Sequence, residues 1–129
     1  MNWRFVEIDE AYLIHQRIIK RAGTRAAVRD FSLLHSAIER PKATYAGKYL
    51  YPSLFDKAAA LLQSLCQNHP FTDGNKRTAW AVTDRFLWYN GYHLKMKTKE
   101  IVNLMLKVDN EKLELPPISF WLRKHSRKI

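Results

Sequence analysis

Cysteine is nearly absent from this 129-residue sequence: Cys66 stands alone, among only four glycines and five prolines. One cysteine excludes an intrachain disulfide framework, and a chain of this length builds a core without one. Cys66 follows Ala58-Ala59-Ala60-Leu61-Leu62 and Leu65, so it reads as a small core residue rather than a nucleophile. A reducing compartment, the cytoplasm, is the expected location. No apolar run approaches the roughly 20 residues of a membrane span. The opening Met1-Asn2-Trp3-Arg4-Phe5-Val6-Glu7 has no apolar h-region and reads against a signal peptide. Repeats, low-complexity tracts and flexible linkers are also missing, so residues 1–129 are expected to form a single domain. Zinc spacing is lacking: His15, His35, His93 and His125 form no H-x-x-x-H or Cys/His pair. The glutamates are scattered and suggest no carboxylate pair.

What is abundant is positive charge. Twenty-two basic residues outweigh 12 acidic ones, for a net +10. This suits an anionic partner, whether nucleotide, nucleic acid or acidic protein, without choosing among them. Part of the excess is a terminal cluster, Arg123 to Lys128, which reads as a solvated helix end.

Helical periodicity dominates the rest. Asp9 is positioned to cap a first helix with Leu13, Ile14 and Ile18 on its apolar positions, ending near Gly23. Asp30 can cap a second, with Leu33, Leu34, Ala37 and Ile38 inward and Pro41 stopping it. Lys42 to Tyr51 has no helical period and many aromatics, so it reads as an extended loop or short hairpin. A long apolar helix is expected from about Ser53 to Asn68, then a loop from His69 to Asp73. Another helix runs from about Gly74 to Tyr89, closed by Asn90-Gly91. Thr98 can cap a helix carrying Ile101, Val102, Leu104, Met105 and Val108. Pro116 and Pro117 suit the first turn of a last helix. The expected fold is all-α: a compact bundle of about six helices with a short extended flap.

The segment His69-Pro70-Phe71-Thr72-Asp73-Gly74-Asn75-Lys76-Arg77 concentrates chemistry in nine residues. It joins two apolar helices, so packing fixes its ends. The second helix starts there with unpaired N–H groups, and Gly74 permits close backbone approach. Together these make an anion site. Lys76 and Arg77 place two cations where the helix dipole disfavours them, which makes sense if a polyphosphate lies between them. Asp73 offers a hard oxygen for Mg²⁺ beside such phosphates. His69 is the loop side chain able to accept a proton near neutral pH. Phe71, among polar neighbours, is expected to point inward and anchor the loop. Taken singly, each residue has a structural explanation: Asp73 as N-cap, Asn75 satisfying loop backbone, a solvated Lys-Arg pair. Taken together, they favour function.

The segment resembles the Fic/Doc signature, His-Pro-Phe-x-(Asp/Glu)-Gly-Asn opening a helix. It is closer to the Doc (death-on-curing) branch, because Lys76-Arg77 and Thr78-Ala79 follow Asn75. Val28-Arg29-Asp30, Leu33-Leu34, Ala37 to Ala43, Leu50-Tyr51-Pro52, Phe55, Lys57 to Ala60 and Asn90-Gly91-Tyr92 also look like Doc-family sequence, so the resemblance covers most of the chain. It implies a Fic/Doc-like bundle and these roles: His69 as general base, Asp73 holding Mg²⁺, Gly74 forming the anion hole, and Asn75, Lys76 and Arg77 positioning the phosphates of ATP. Residues Thr44, Tyr45 and Ala46 of the flap would align the target by main-chain pairing. The implied activity is that of a toxin transferring the ATP γ-phosphate to a Ser/Thr hydroxyl of a translation factor, elongation factor Tu in this family. A cognate antitoxin would neutralise it with a disordered C-terminal segment. This chain has no inhibitory glutamate motif, which fits control in trans.

Fic adenylyltransferases instead carry a second glycine where this chain has Lys76, and an arginine where it has Trp80. Lys76 fills the room that glycine leaves for a phosphate, and in the Doc branch this goes with an inverted nucleotide. Adenylyl transfer is the alternative reaction. Trp80, as a helical aromatic, also has a purely structural reading as core. A basic RNA-binding module is a further alternative, since aromatics beside lysines stack bases. The flap aromatics form no recognisable RNA-binding module, so direct nucleic-acid binding is not expected.

Overall fold

The structure, a computed structural model, describes residues 2–129. Six helices make the fold: α1 (Ile8–Ala22), α2 (Phe31–Glu39), α3 (Leu54–Gln67), α4 (Asn75–Tyr89), α5 (Thr98–Asn110) and α6 (Leu115–His125). Two small antiparallel ribbons complete it, β1 (Thr44–Tyr45) with β2 (Lys48–Tyr49) and β3 (Tyr92–Leu94) with β4 (Ser126–Lys128). The fold is the all-α bundle expected, with its extended flap.

The central element is α3. Its Ala58, Ala59 and Ala60 are fully buried, and their small side chains let neighbouring helices approach on several sides. Helices α4 and α6 pack against it most extensively, with α2 and α5 on its remaining faces. Ser53 caps its start by accepting from the Asp56 N–H at 3.0 Å, and Cys66 is buried as expected. Burial pushes the Cys66 thiol up to about 12, which removes it from nucleophilic chemistry.

Several local expectations shift by a residue or a face. Asp30 does cap α2, accepting from Leu33 N–H at 3.0 Å, and a 3-10 turn over Arg40–Lys42 containing Pro41 follows. Asp9, however, lies inside the first turn of α1, whose N-cap is Glu7 without a side-chain bond. The buried positions of α1 are Ala11, His15 and Ile19, while Leu13 is exposed. A histidine takes the inward stripe because it has partners there. Thr98 is the first residue of α5 rather than its cap, and Glu100 reaches back to the Lys97 N–H. The C-terminal cluster is not simply a solvated helix end: α6 stops at His125, and Ser126–Lys128 pair with Tyr92–Leu94. Local periodicity carries no signal for a pairing between segments more than thirty residues apart.

The flap is a two-residue hairpin. Ala46 (φ 51°) and Gly47 (φ 77°) both lie in the left-handed region, the geometry of a type I′ turn. Its base is tied by Leu50 N–H to Ala43 carbonyl at 2.9 Å. Beneath it lies Lys57, fully buried. Its ammonium donates to the carbonyls of Tyr51 (2.7 Å) and Pro52 (3.1 Å) and sits over the rings of Tyr49 and Trp3. These contacts offset the desolvation of the charge, though burial still pulls the Lys57 pKa down.

Candidate active site at the start of the fourth helix

The motif loop is strapped from three directions. Asn75 accepts from the Phe71 N–H and donates to the Phe71 carbonyl, each at 2.9 Å, closing the loop on itself. The segment before α2 runs antiparallel to it: Val28 bridges Phe71, the N–H groups of Arg29 and Asp30 donate to the Pro70 carbonyl, and Thr72 N–H donates to Ala27. From below, Phe71 is buried as expected and stacks on His15, with ring centroids 3.7 Å apart.

This strapping holds unfavourable backbone. His69 has φ 47°, a left-handed conformation uncommon for a residue other than glycine. Arg29 clamps it: Nε donates to the His69 carbonyl at 2.7 Å and an Nη to the Asn68 carbonyl at 2.9 Å. These are carbonyls at the end of α3, which otherwise lack partners. Gly74 is also left-handed, at φ 75°, and a Cβ there would come 2.8 Å from Ile19 Cδ1. The torsion favours glycine, and any larger residue would also have to displace the tip of the Ile19 side chain.

The start of α4 is therefore left open. Gly74 occupies the N-cap position and no side chain caps the helix. Asp73 is not its N-cap: one carboxylate oxygen accepts from the adjacent Gly74 N–H at 2.8 Å, and the side chain is exposed. Asn75 is committed to Phe71 through both polar ends of its side chain, so what it has left for an anion is its main-chain N–H. Across the cleft, a single carboxylate organises the remaining groups. Asp109 of α5 accepts from His69 Nε2 at 2.8 Å on one oxygen and from Lys76 Nζ at 3.1 Å on the other. Lys112 Nζ stands 3.9 Å away. Burial alone would push the Asp109 carboxyl up, but the hydrogen bonds from His69 and Lys76 and the charge of Lys76 outweigh it, and the net shift is downward.

His69, Asp73, Gly74, Asn75 and Lys76 thus line one cleft of about 320 Å³, together with Arg29, Phe71, Thr72 and Asp109. Two expected participants do not line it. Arg77 is exposed and projects outside the cleft lining, because the helical turn carries it about 100° past Lys76. Thr44, Tyr45 and Ala46 stand exposed on the flap and line no part of it. A larger cleft of about 560 Å³ lies between α1, α4 and β3 and holds none of the motif residues; Trp80 lines it, half-buried and packed edge-on against Trp121.

Three residues of this region were not read from the sequence as part of the site. Arg29 looked only like family sequence. His15 lies directly beneath, fully buried, with Nδ1 3.0 Å from Thr78 Oγ1. Burial lowers its pKa, against a smaller upward pull from Asp73. Asp109 carried one legible signal: it falls on the inward stripe of α5 with Leu104, Met105 and Val108, where an acid is out of place unless paired.

The sequence profile described as the Fic/DOC family matches residues 5–87. The chain belongs to the Fic/DOC family. Over 72 residues it is 57% identical to a protein named "Toxin Doc" from Mycolicibacterium smegmatis, covering 56% of this chain and 55% of the relative. The chain thus spans about half the length of the curated relative it matches. The family match ends at residue 87, so α5 with Asp109 lies beyond it.

Proposed function

We propose that the protein is the toxin of a toxin–antitoxin pair, transferring the γ-phosphate of ATP to a Ser/Thr hydroxyl of a translation factor. The family resemblance names elongation factor Tu as the target. The observation that carries this reading is the uncapped, glycine-initiated start of α4, which carries Lys76 and shares one cleft with His69. A proton acceptor, free N–H groups and a cation within one cleft are what phosphoryl transfer needs, since it depends chiefly on positioning and charge stabilisation.

In this mechanism the unpaired N–H groups of α4 and the Lys76 ammonium bind the phosphates. His69 takes the proton of the incoming hydroxyl. The hydroxyl oxygen forms a bond to the γ-phosphorus, the bond from that phosphorus to the bridging oxygen breaks, and ADP leaves with the electron pair. Mg²⁺, when bound, neutralises charge on the phosphate oxygens. Asp73 fits that ion: it is exposed and keeps one carboxylate oxygen free of the Gly74 N–H. Among the described residues no three His, Cys, Asp or Glu converge, as suits a cation held by one carboxylate plus substrate phosphates. In this proposal Arg77 meets the distal part of the nucleotide or the target from outside the cleft. The flap residues Thr44, Tyr45 and Ala46 pair with the target main chain, and the antitoxin's C-terminal segment covers the cleft.

Adenylyl transfer is the second reading. Lys76 argues against it, because its side chain occupies the helix start where Fic enzymes keep a second glycine. The test is incubation with elongation factor Tu and ATP labelled at the γ or the α phosphate. Label from γ alone is expected. Label from α overturns the kinase reading. His69→Ala is expected to lower transfer by about 10²–10⁴ while nucleotide binding persists, and Lys76→Gly to lower it by about 10²–10³.

A further inference from the structure

The cleft contains one carboxylate for which the functional reading so far has no use. Asp109 is reached from α5, forty residues beyond His69 in sequence, and its side chain is only 12% exposed. A carboxylate has no proton to give, so it can only accept. With one Asp109 oxygen 2.8 Å from His69 Nε2, the ring hydrogen must therefore sit on Nε2. The neutral ring then carries its lone pair on Nδ1. Among the described residues Nδ1 has no hydrogen-bonding partner, and the His69 side chain is 46% exposed. It is the nitrogen open to an incoming hydroxyl. The second Asp109 oxygen simultaneously holds the Lys76 ammonium at 3.1 Å, so a single side chain sets the spacing between the proton acceptor and the phosphate-binding cation.

We propose that Asp109 is a positioning residue: it fixes His69 in the Nε2–H tautomer, leaving Nδ1 to take the proton, and aims Lys76 at the transferred phosphate. When Nδ1 accepts the hydroxyl proton, the ring becomes a cation whose Nε2–H already faces a negative oxygen, so charge develops where it is balanced. Asp109 acts through the two side chains it holds, His69 and Lys76. The inference rests on His69 being the general base and adds to that reading the identity of the working nitrogen.

The test has two arms. Long-range ¹H–¹⁵N spectra of the free protein, with the His69 signals identified by their loss in His69→Ala, report the tautomer of the neutral ring without any nucleotide. Nε2–H is expected in the parent. In Asp109→Asn, an amide that can offer either an oxygen or an N–H, a mixed or reversed tautomer is expected. Parent His69 in the Nδ1–H form overturns the proposal, and so does an unchanged tautomer in Asp109→Asn. The second arm is turnover: Asp109→Asn should lower kcat by about 10²-fold without raising the KM for Mg-ATP, because it removes a negative charge near the phosphates. Parent-like kcat overturns the proposal. If the parent transfers no phosphate at all, the functional reading fails, and the tautomer arm alone decides the role of Asp109.

Discussion

The motif loop and the flap are both short irregular segments, yet they are held in opposite ways. The loop from His69 to Gly74 is strapped by Arg29, by both ends of the Asn75 amide and by the segment 27–30, with Phe71 buried as its anchor. It stores a left-handed histidine that only such a surround sustains. The hairpin 44–49 has two residue pairs and a turn, all exposed, with Tyr45 77% exposed. Only its base is fastened, by Lys57 and Leu50. The fold rigidifies the loop, which suits a segment proposed to position reacting groups. The flap keeps free main-chain edges, which suits a segment proposed to receive a strand from a partner.

Truncating equivalent aromatics should break that comparison most visibly. Phe71→Ala removes a fully buried ring and the stacking surface of His15, and should cost about 3–5 kcal/mol in urea unfolding. Tyr45→Ala should stay within about 0.5 kcal/mol while raising the KM for the protein target. Comparable losses at both positions would mean that the flap is as integral to the core as the loop.

Acid should reach the loop before the flap, through His15. Burial lowers its pKa in the folded state below the ordinary 6.5, so the unfolded chain binds the extra proton first. Its contribution is fully present above about pH 6.5 and is lost as pH falls from there toward the depressed folded value. The slope cannot exceed about 1.4 kcal/mol per pH unit for one proton. His15→Phe should flatten the stability–pH curve in that window. The carboxyl of Asp109, lowered in the fold, acts in a separate window: its contribution is lost as pH drops below the ordinary carboxyl range. An unchanged curve for His15→Phe would show that the histidine is not the group being titrated.

Arg29→Ala sharpens the comparison at the smallest energetic scale. Its guanidinium is exposed, so the loss of two hydrogen bonds should cost only about 1 kcal/mol. Turnover should fall much further, by about 10², because His69 is no longer held in its strained position. Equal fractional effects on stability and turnover would argue that the clamp serves folding alone.

The bundle, its helix order and the nine-residue motif were legible because they are local. Ser53, Asp30 and Gly74 announce helix starts, Asn90-Gly91 announces an end, and the run Ala58 to Leu62 announces a buried helix. The matching family pattern over residues 5–87 is likewise a property of contiguous sequence. Two of the places where local rules misled have a tertiary partner behind them. His15 displaced Leu13 from the inward stripe because Phe71 and Thr78 receive its ring. Ser126–Lys128 left the helix because Tyr92–Leu94 offered a ladder.

By itself, then, the sequence determined an all-α chain with a glycine-opened, cation-rich helix start carrying a histidine and an aspartate. Tertiary structure alone decided which of those groups share a cleft. It brought Arg29 to the end of α3 and Asp109 onto both His69 and Lys76, and it left Arg77 and the flap outside. The physical reason is the difference in what each level specifies. Torsions, caps and periodicity are set by neighbours in the chain, whereas a hydrogen bond between residues forty positions apart exists only once the helices that carry them have packed.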